Sequence, residues 1–168
     1  MKVENINSSV ILPLTQNALG DNDIDDDIMI FCKKIEFMLN AMAIHISHFF
    51  SITENYVSQL ANVETLNASN KRDLFRLISV KDDYAYCVNS IRTLLRDDGN
   101  DLVKSMPGCL MDCYKHELGL KVASDINSAK KYLKLLEMYS APSRNSLIAK
   151  KWRHAMNELK NLDYLVSV

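Results

Sequence analysis

Residues 30–50, "IFCKKIEFMLNAMAIHISHFF", form a strongly apolar stretch whose place in the protein decides the fold. No formally charged side chain occurs in residues 37–53. A transmembrane helix needs about 20 predominantly apolar residues, but Lys33, Lys34 and Glu36 interrupt this stretch. We therefore expect a helix that other helices of a bundle cover, and no transmembrane segment.

The apolar residues of this stretch recur every three or four positions, which is the period of one face of an α-helix. Carboxylates precede them in "DIDDD", residues 23–27, where the positive end of a helix dipole favours negative charge. The sequence thus predicts a long helix over about 24–50 with these residues buried: Ile28, Phe31, Ile35, Met42, Ile46 and Phe49. Phe37 and Ile44 fall in the polar strip of the same helix, one heptad apart, so we interpret them as candidate partner-binding residues. The alternative is that another helix or the N-terminal arm covers them.

The composition points to an all-α protein. The 168 residues include only 4 Gly and 3 Pro, fewer turn residues than a sandwich or barrel needs. Hydrophobic residues make up 48% and charged residues 24%, as in globular chains. We expect a flexible leader over 1–22 and one helical domain over 23–168, a single compact bundle of roughly five to seven helices around the long apolar helix.

Local capping signals divide the rest of the chain into shorter predicted helices. The sequence "SITE", residues 51–54, matches a capping box and predicts the start of a second helix. A third segment is expected over about 71–80, and Asp82 or Asp83 is expected to cap a fourth, unless the two form one kinked helix. The turn "DDGN", residues 97–100, is expected to end it.

Two boundaries are also expected in the second half of the chain. The Pro-Gly pair at 107–108 predicts a break between short helices over 101–106 and 109–118. Ser124 or Asp125 is expected to cap the next helix. The buried side of that helix is predicted to carry four residues at helical spacing: Ile126, Ala129, Leu133 and Leu136.

The last helix follows the turn "SAPS", residues 140–143, and has two distinct faces. Its predicted buried side is apolar: Ile148, Trp152, Ala155, Leu159, Leu162 and Val166. Its other face is basic: Lys150, Lys151, Arg153 and Lys160. Three lysines precede it on the neighbouring predicted helix: Lys130, Lys131 and Lys134.

Charge is distributed unevenly along the chain. Residues 1–60 hold 3 basic and 8 acidic residues, a net charge of −5, whereas residues 101–168 hold 11 and 7, a net charge of +4. The basic face of the last helix is therefore a candidate surface for steering an acidic partner, and the alternative is that its charge only keeps the protein soluble. Nucleic acid is not the expected partner, because the chain has no basic stripe interleaved with aromatic residues.

Catalytic, cofactor and metal sites are not expected. The chain lacks the common phosphate-binding, dinucleotide, zinc-protease and serine-hydrolase motifs. Cys109, Cys113 and His116 share one predicted helix face, but a structural zinc site needs four ligands and no partner pair is visible. We interpret the four cysteines as reduced thiols. We expect the protein to act by binding rather than by catalysis.

The first twenty residues, "MKVENINSSVILPLTQNALG", are rich in Asn, Ser and Ile and poor in charge. With the low-glycine helical body that follows, this composition resembles the type III secreted effectors of enteric bacteria. The size and the lack of catalytic motifs are similar to those of small non-enzymatic effectors of the EspH type. The resemblance implies a secretion chaperone that binds the leader and delivery into the host cytoplasm, where the protein can associate with membranes.

The same resemblance implies a host partner, the catalytic helical domain of Rho guanine-nucleotide exchange factors. Its inhibition would block Rho signalling and alter the actin cytoskeleton. The chain departs from a different effector group, the exchange-factor mimics, because Met156 stands where their tryptophan-x-x-x-glutamate signature, begun here at Trp152, needs Glu.

Three other classes remain open from the sequence. The first is a helical binding protein that stays in the cell that makes it, such as a secretion chaperone, an immunity protein or a regulator. The second is a bundle like those of viral apoptosis regulators, built on a central apolar helix. The third is an enzyme without a common motif. An unstructured leader favours the secreted effector over the first of these.

Overall fold

The computed structural model describes residues 26–60, 68–96, 104, 106–139 and 146–166 of the chain. Five helices lie in these residues: α1 (Asp26–Leu60), α2 (Ala68–Arg96), α3 (Gly108–Tyr139), α4 (Ser146–Lys160) and α5 (Asp163–Val166). No strand occurs in the same ranges, and the all-α class is confirmed. The predicted leader over 1–22, the turn at 97–100 and four of the six residues of the predicted helix over 101–106 lie outside the described residues.

The chain packs as two compact units, each built from parts of several helices. In the first unit, the part of α1 up to Ile44 packs with Tyr86–Lys121 of α2 and α3. Its core is apolar: Ile28, Phe31, Cys32, Ile35, Leu39, Met42, Cys87, Val88, Ile91, Leu95, Met106, Leu110, Met111, Tyr114 and Leu118. A single domain over 23–168 stays a prediction.

The second unit contains His45–Ala85 and the chain from Val122 onward. The core of this unit includes residues from all five helices: Ile46, Phe49, Ile52, Tyr56, Leu77, Val80, Tyr84, Ala85, Val122, Ile126, Ala129, Leu133, Leu136, Ala155, Met156, Leu159, Leu162 and Leu165. Burial of such side chains is the dominant stabilising term in a helical fold.

Helix α1 confirms the predicted long apolar helix and its acidic first turn, formed by Asp26 and Asp27. All six residues predicted to be buried on it are buried. The predicted end at residue 50 is wrong, because the helix continues to Leu60. Ser51 is an exposed helix-interior residue rather than a cap, and the nearby Thr53 hydroxyl donates to the Phe49 carbonyl at 2.8 Å within the helix. The apolar face continues through Ile52 and Tyr56, and burying this face outweighs the local capping signal.

Continuous helices also replace two other predicted boundaries. Helix α2 passes through Asp82 and Asp83 without a break, so neither residue caps a helix. Helix α3 begins at Gly108, as the Pro-Gly pair predicted, but it runs past Ser124 and Asp125 to Tyr139. Asp125 is buried and accepts a hydrogen bond from the Tyr84 hydroxyl at 2.8 Å. The polar residues interpreted as caps thus lie inside longer helices. Asp82 and Asp83 face solvent, and Asp125 accepts a hydrogen bond inside the protein.

Helix α4 is held in the second unit by polar contacts as well as by its apolar face. The buried Lys81 ammonium donates to the Glu158 carbonyl oxygen at 2.6 Å, in the last turn of α4, where the helix dipole is negative. Lys160 of α4 pairs with Glu137 of α3. Close to it in the chain, Asp163 of α5 pairs with Lys130 of α3 at 2.5 Å.

The predicted buried side of the last helix is partly confirmed. Ala155, Leu159 and Leu162 are buried, whereas Val166 is 43% exposed because the chain turns after Lys160 and begins α5. The Leu162 amide donates to the Lys160 carbonyl within this turn, which ends the helical register of α4. The side chains of Ile148 and Trp152 lie outside the described part of the chain.

Candidate partner-binding groove

An apolar groove of about 730 Å³ lies in the first unit, between one face of α1 and one face of α2. Helix α1 contributes five of its lining residues: Ile30, Lys33, Lys34, Phe37 and Met38. Helix α2 contributes the other five: Tyr86, Asn89, Ser90, Thr93 and Leu94. Each set repeats at intervals of three and four residues, so each wall is one side of a helix about two turns long.

The α1 wall carries an exposed apolar stripe. Ile30, Phe37 and Ile44 stand seven residues apart, a spacing that returns to nearly the same side of a helix, with a drift of about 20° per heptad. Their side chains are 52%, 71% and 68% exposed. Ile44 does not line the groove, but it continues the same stripe within the first unit. Solvent exposure at three successive heptad positions marks this side of α1 as a surface without a covering helix among the described residues.

The α2 wall combines one aromatic residue with small polar ones. Tyr86 is 69% exposed, and Leu94 is half-buried beside the groove. The Thr93 hydroxyl donates to the Asn89 carbonyl at 2.9 Å, so its hydrogen bond is made within its own helix. This wall therefore presents an exposed aromatic side chain next to short polar side chains.

Positive charge borders the groove. Lys33 and Lys34 are exposed and line it, and no acidic side chain is among its ten described lining residues. Neither lysine forms an ion pair with another described residue. The groove is therefore mainly apolar, with positive charge on its α1 wall.

Phe37 is the sequence-predicted candidate that the structure places in a groove. Ile44 lies beyond its end on the same stripe. The alternative that another helix covers these two residues is not seen among the described residues, where both remain more than two-thirds exposed. Cover by the N-terminal arm concerns residues outside the described ranges.

The structure supports the predicted basic face of the last helix only in part. Lys150 and Arg153 are exposed, but the Lys151 side chain lies outside the described part of the chain. Lys160 pairs with Glu137 on α3, and Lys130 pairs with Asp163 on α5. Part of the predicted positive charge is thus used within the second unit, which makes this face the weaker candidate.

Sequence reasoning missed the α2 wall. Tyr84, Val88 and Ile91 recur at helical spacing and are buried, and the same spacing places Tyr86 on the opposite side of α2. An aromatic residue on the polar side of a helix is the same signal that identified Phe37. What the sequence did not contain is the pairing of these two helix faces across one groove.

The described lining of the groove has no His, Cys, Asp or Glu side chain. Cys109 is exposed and Cys113 half-buried at the start of α3, and among the described residues no three His, Cys, Asp or Glu side chains come together as metal ligands. The groove offers contact area and positive charge.

A second aromatic feature, in the second unit, is an internal contact rather than a site. The Tyr132 ring on α3 stacks on Phe50 of α1, with ring centroids 4.5 Å apart and planes 13° from parallel. Its hydroxyl donates to Glu54 Oε1 at 2.8 Å. Burial, followed by this hydrogen bond, raises the pKa of Tyr132 above its ordinary value. These contacts fix α3 against α1 within the unit.

Helix α1 also satisfies a simple test for membrane-crossing helices. Within the described residues, Asp26–Ser58 is long enough to cross a bilayer and contains an 18-residue window with a mean hydropathy of 1.3. Core helices of soluble proteins and signal sequences pass the same test. Ile35 and Met42 of α1 are completely buried by protein, and 33% of the window is buried. Of the exposed apolar residues of α1, Ile30 and Phe37 line the groove and Ile44 lies beyond it.

Comparisons with protein-family models, curated proteins and solved structures found no match. The function is therefore inferred from the chemistry of the groove itself, and the likeness to secreted effectors rests on residues 1–20 and on composition.

Proposed function

We propose that this chain is a non-enzymatic binding protein and that the groove between α1 and α2 receives a segment of its protein partner. The observation that carries the proposal is the exposure of two aromatic side chains, Phe37 at 71% and Tyr86 at 69%, in one apolar groove. Exposed apolar patches of this kind mark interaction sites in soluble proteins. Aromatic residues that fill or line such patches contribute a large share of binding energy at interfaces.

The open form of the groove favours a macromolecular partner over a small molecule. Small-molecule pockets typically bury 70–90% or more of the ligand surface. Here Phe37, Tyr86 and Ile30 are each more than half exposed. A segment of a larger partner can cover these side chains and also extend along the stripe to Ile44.

At finer detail, we propose that the protein is a type III secreted effector that acts in a host cell. The support is the composition of residues 1–20, together with the small size and the lack of catalytic motifs. The proposed partner is the catalytic helical domain of a Rho guanine-nucleotide exchange factor, whose inhibition would alter actin. An intracellular chaperone, immunity protein or regulator could use the same groove, with a partner from the producing cell.

Quantitative capture on immobilised protein tests the coarse proposal. Phe37→Asp places a charge in the groove, and Phe75→Asp is the matched control, since Phe75 is 63% exposed and lies in the second unit. We expect the parent and Phe75→Asp to retain the same proteins from host and producer lysates, and Phe37→Asp to lose them. Retention of the same proteins at equal yield by Phe37→Asp would refute the groove as the docking surface.

The same experiment also tests the basic face of α4 as the alternative binding surface. A variant with Lys150, Lys151 and Arg153 changed to Glu replaces three positive charges of α4 by negative ones. If the groove is the binding site, this variant retains the partner at the yield of the parent, because none of the three is among the described residues that line the groove. Loss of the partner from this variant, with retention by Phe37→Asp, would move the site to α4. Host or producer origin of the retained proteins separates the effector from the intracellular alternatives.

A further inference from the structure

We infer that the segment received by the groove is an amphipathic helix of about two turns whose apolar side is flanked by acidic residues. This inference rests on the proposed function, because it specifies the partner of the same groove. Three observations support it: the dimensions of the groove, the spacing of its apolar residues and the position of its two lysines.

The dimensions of the groove fit a short helix. Its α1 wall runs from Ile30 to Met38 and its α2 wall from Tyr86 to Leu94, each about 12 Å long at 1.5 Å per residue. Two parallel or antiparallel helix faces with a furrow between them provide the surface into which a third helix packs. A helix presents its own apolar side chains at the matching intervals of three, four and seven residues.

The lysines specify the charge of that helix. Successive residues of an α-helix are about 100° apart, so Lys33 and Lys34 lie on opposite sides of the line through Ile30 and Phe37. Both are exposed, and neither is paired with a described acidic residue. Both cations belong to the α1 wall, so a helix docked in the groove meets them along the flank that faces α1. Carboxylates beside its apolar side would pair with those cations, whereas lysines or arginines there would be repelled.

Other occupants fit the groove less well. An apolar carboxylate such as a fatty acid could pair with one lysine, but the open groove would leave much of its chain in water. A second copy of this chain would bring its own Lys33 and Lys34 to the contact if the same surfaces met about a two-fold axis, and like charges would then face each other. The acidic amphipathic helix complements both the apolar lining and the two cations of the α1 wall.

A charge-exchange experiment with defined probes tests the inference. The probes are two stapled helical peptides of about three turns. Both carry leucines at positions one, four, five and eight, flanked by Glu in one peptide and by Lys in the other. Fluorescence anisotropy measures their dissociation constants with the full chain at low ionic strength. The variants are Lys33→Glu/Lys34→Glu and, as a matched control on exposed residues of α3, Lys131→Glu/Lys134→Glu.

We expect the Glu peptide to bind the parent at least about tenfold more tightly than the Lys peptide. The Lys33→Glu/Lys34→Glu variant should reverse this preference, and the Lys131→Glu/Lys134→Glu control should keep it. Phe37→Asp should weaken binding of the Glu peptide by at least about tenfold, and Phe75→Asp should not. Added salt should reduce the preference between the peptides.

Three results would overturn the inference. One is equal binding of both peptides, a second is no binding of either, and a third is binding that Phe37→Asp leaves unchanged. Binding of dodecanoate with displacement of the peptide, or dimerisation of the full chain that Phe37→Asp abolishes, would assign the groove to a lipid or to a second copy. If the peptides fail while capture still depends on Phe37, only the helical, acidic description is wrong and the proposed function stands.

Discussion

Two buried tyrosines of the second unit show how differently similar hydroxyl groups affect stability. The Tyr84 hydroxyl donates to buried Asp125, whereas the Tyr56 hydroxyl is completely buried without a hydrogen-bond partner among the described residues. Burial, and then the nearby charge of Asp73, raise the pKa of Tyr56 above its ordinary value. A buried polar group costs free energy when it is unsatisfied and stabilises only when it is paired.

The first prediction compares Tyr56→Phe with Tyr84→Phe. Tyr56→Phe should leave the free energy of unfolding unchanged or raise it by up to about 1 kcal/mol, because it removes an unsatisfied hydroxyl. Tyr84→Phe should lower it by about 1–3 kcal/mol, because Asp125 loses a donor inside the protein. Urea unfolding monitored by circular dichroism measures both. Equal losses from the two substitutions would contradict this account of Tyr56.

A second prediction concerns the stability of the protein at alkaline pH. Since the pKa of Tyr56 in the folded chain is raised above 10.0, the unfolded chain loses this proton first as the pH increases. The free energy of unfolding should therefore be unaffected by Tyr56 below pH 10 and should fall above it. The free energy of unfolding of the Tyr56→Phe variant should fall less steeply over the same pH range. Parallel pH profiles for the parent and the variant would show that Tyr56 ionises equally in both states.

At the scale of elements, periodicity predicted which faces are buried better than capping signals predicted where helices end. The buried side of α1 and the inward residues of α3 were identified because apolar spacing reports long-range packing directly. Ser51, Asp82 and Asp125 looked like caps because these residue types favour helix ends. Each lies inside a longer helix, since the apolar face continues on both sides of it and tertiary burial outweighs about 1 kcal/mol of capping energy.

Ser51→Ala tests this explanation by the sign of its effect. In the interior of α1, Ala has the higher helix propensity, so the variant should be as stable as the parent or more stable by a few tenths of a kcal/mol. A serine that capped a second helix would instead cost about 1 kcal/mol when replaced by Ala. Thermal unfolding distinguishes the two. A clear destabilisation by Ser51→Ala would mean that a helix starts at this residue.

The contact between Lys81 and α4 yields a prediction about one helix. Lys81→Ala removes the donor to the Glu158 carbonyl and the aliphatic stem packed beside it. The free energy of unfolding should fall by about 2 kcal/mol, and hydrogen exchange should accelerate in α4 more than in the first unit. The control is Lys160→Ala, whose exposed ion pair with Glu137 should contribute less than about 1 kcal/mol. Equal exchange rates in α4 of the parent and Lys81→Ala would show that this bond does not hold the helix.

At the scale of the whole molecule, the fold class followed from few turn residues and strong helical periodicity, but half of the groove did not. Phe37 was identifiable because it interrupts a polar strip within one helix. Tyr86 becomes its neighbour only when α2 packs beside α1, and a single sequence does not specify that pairing. Lys160 of α4 and Lys130 of α3 were overvalued for the same reason, because the acidic residues that pair with them lie on other helices.

Deleting residues 1–20 tests the secretion proposal at the same scale. We expect the truncated chain to keep its helical circular dichroism spectrum and its cooperative unfolding, because the apolar periodicity of the sequence begins after this segment. Export through a type III apparatus should be lost. Export at the normal level would show that these residues do not carry the secretion signal. Loss of the helical spectrum would show that the segment is part of the fold.

The most direct test of the central claim, that a protein partner docks in the groove between α1 and α2, is site-specific photocrosslinking. Benzoylphenylalanine at position 37 places the reactive group in the groove, and the same residue at position 75 is the control on the second unit. In host and producer lysates, the account predicts a discrete crosslinked protein at position 37 that is absent at position 75 and is competed by unlabelled parent but not by Phe37→Asp. The same crosslinks at both positions, or none at position 37 while the parent still captures its partner, would contradict it.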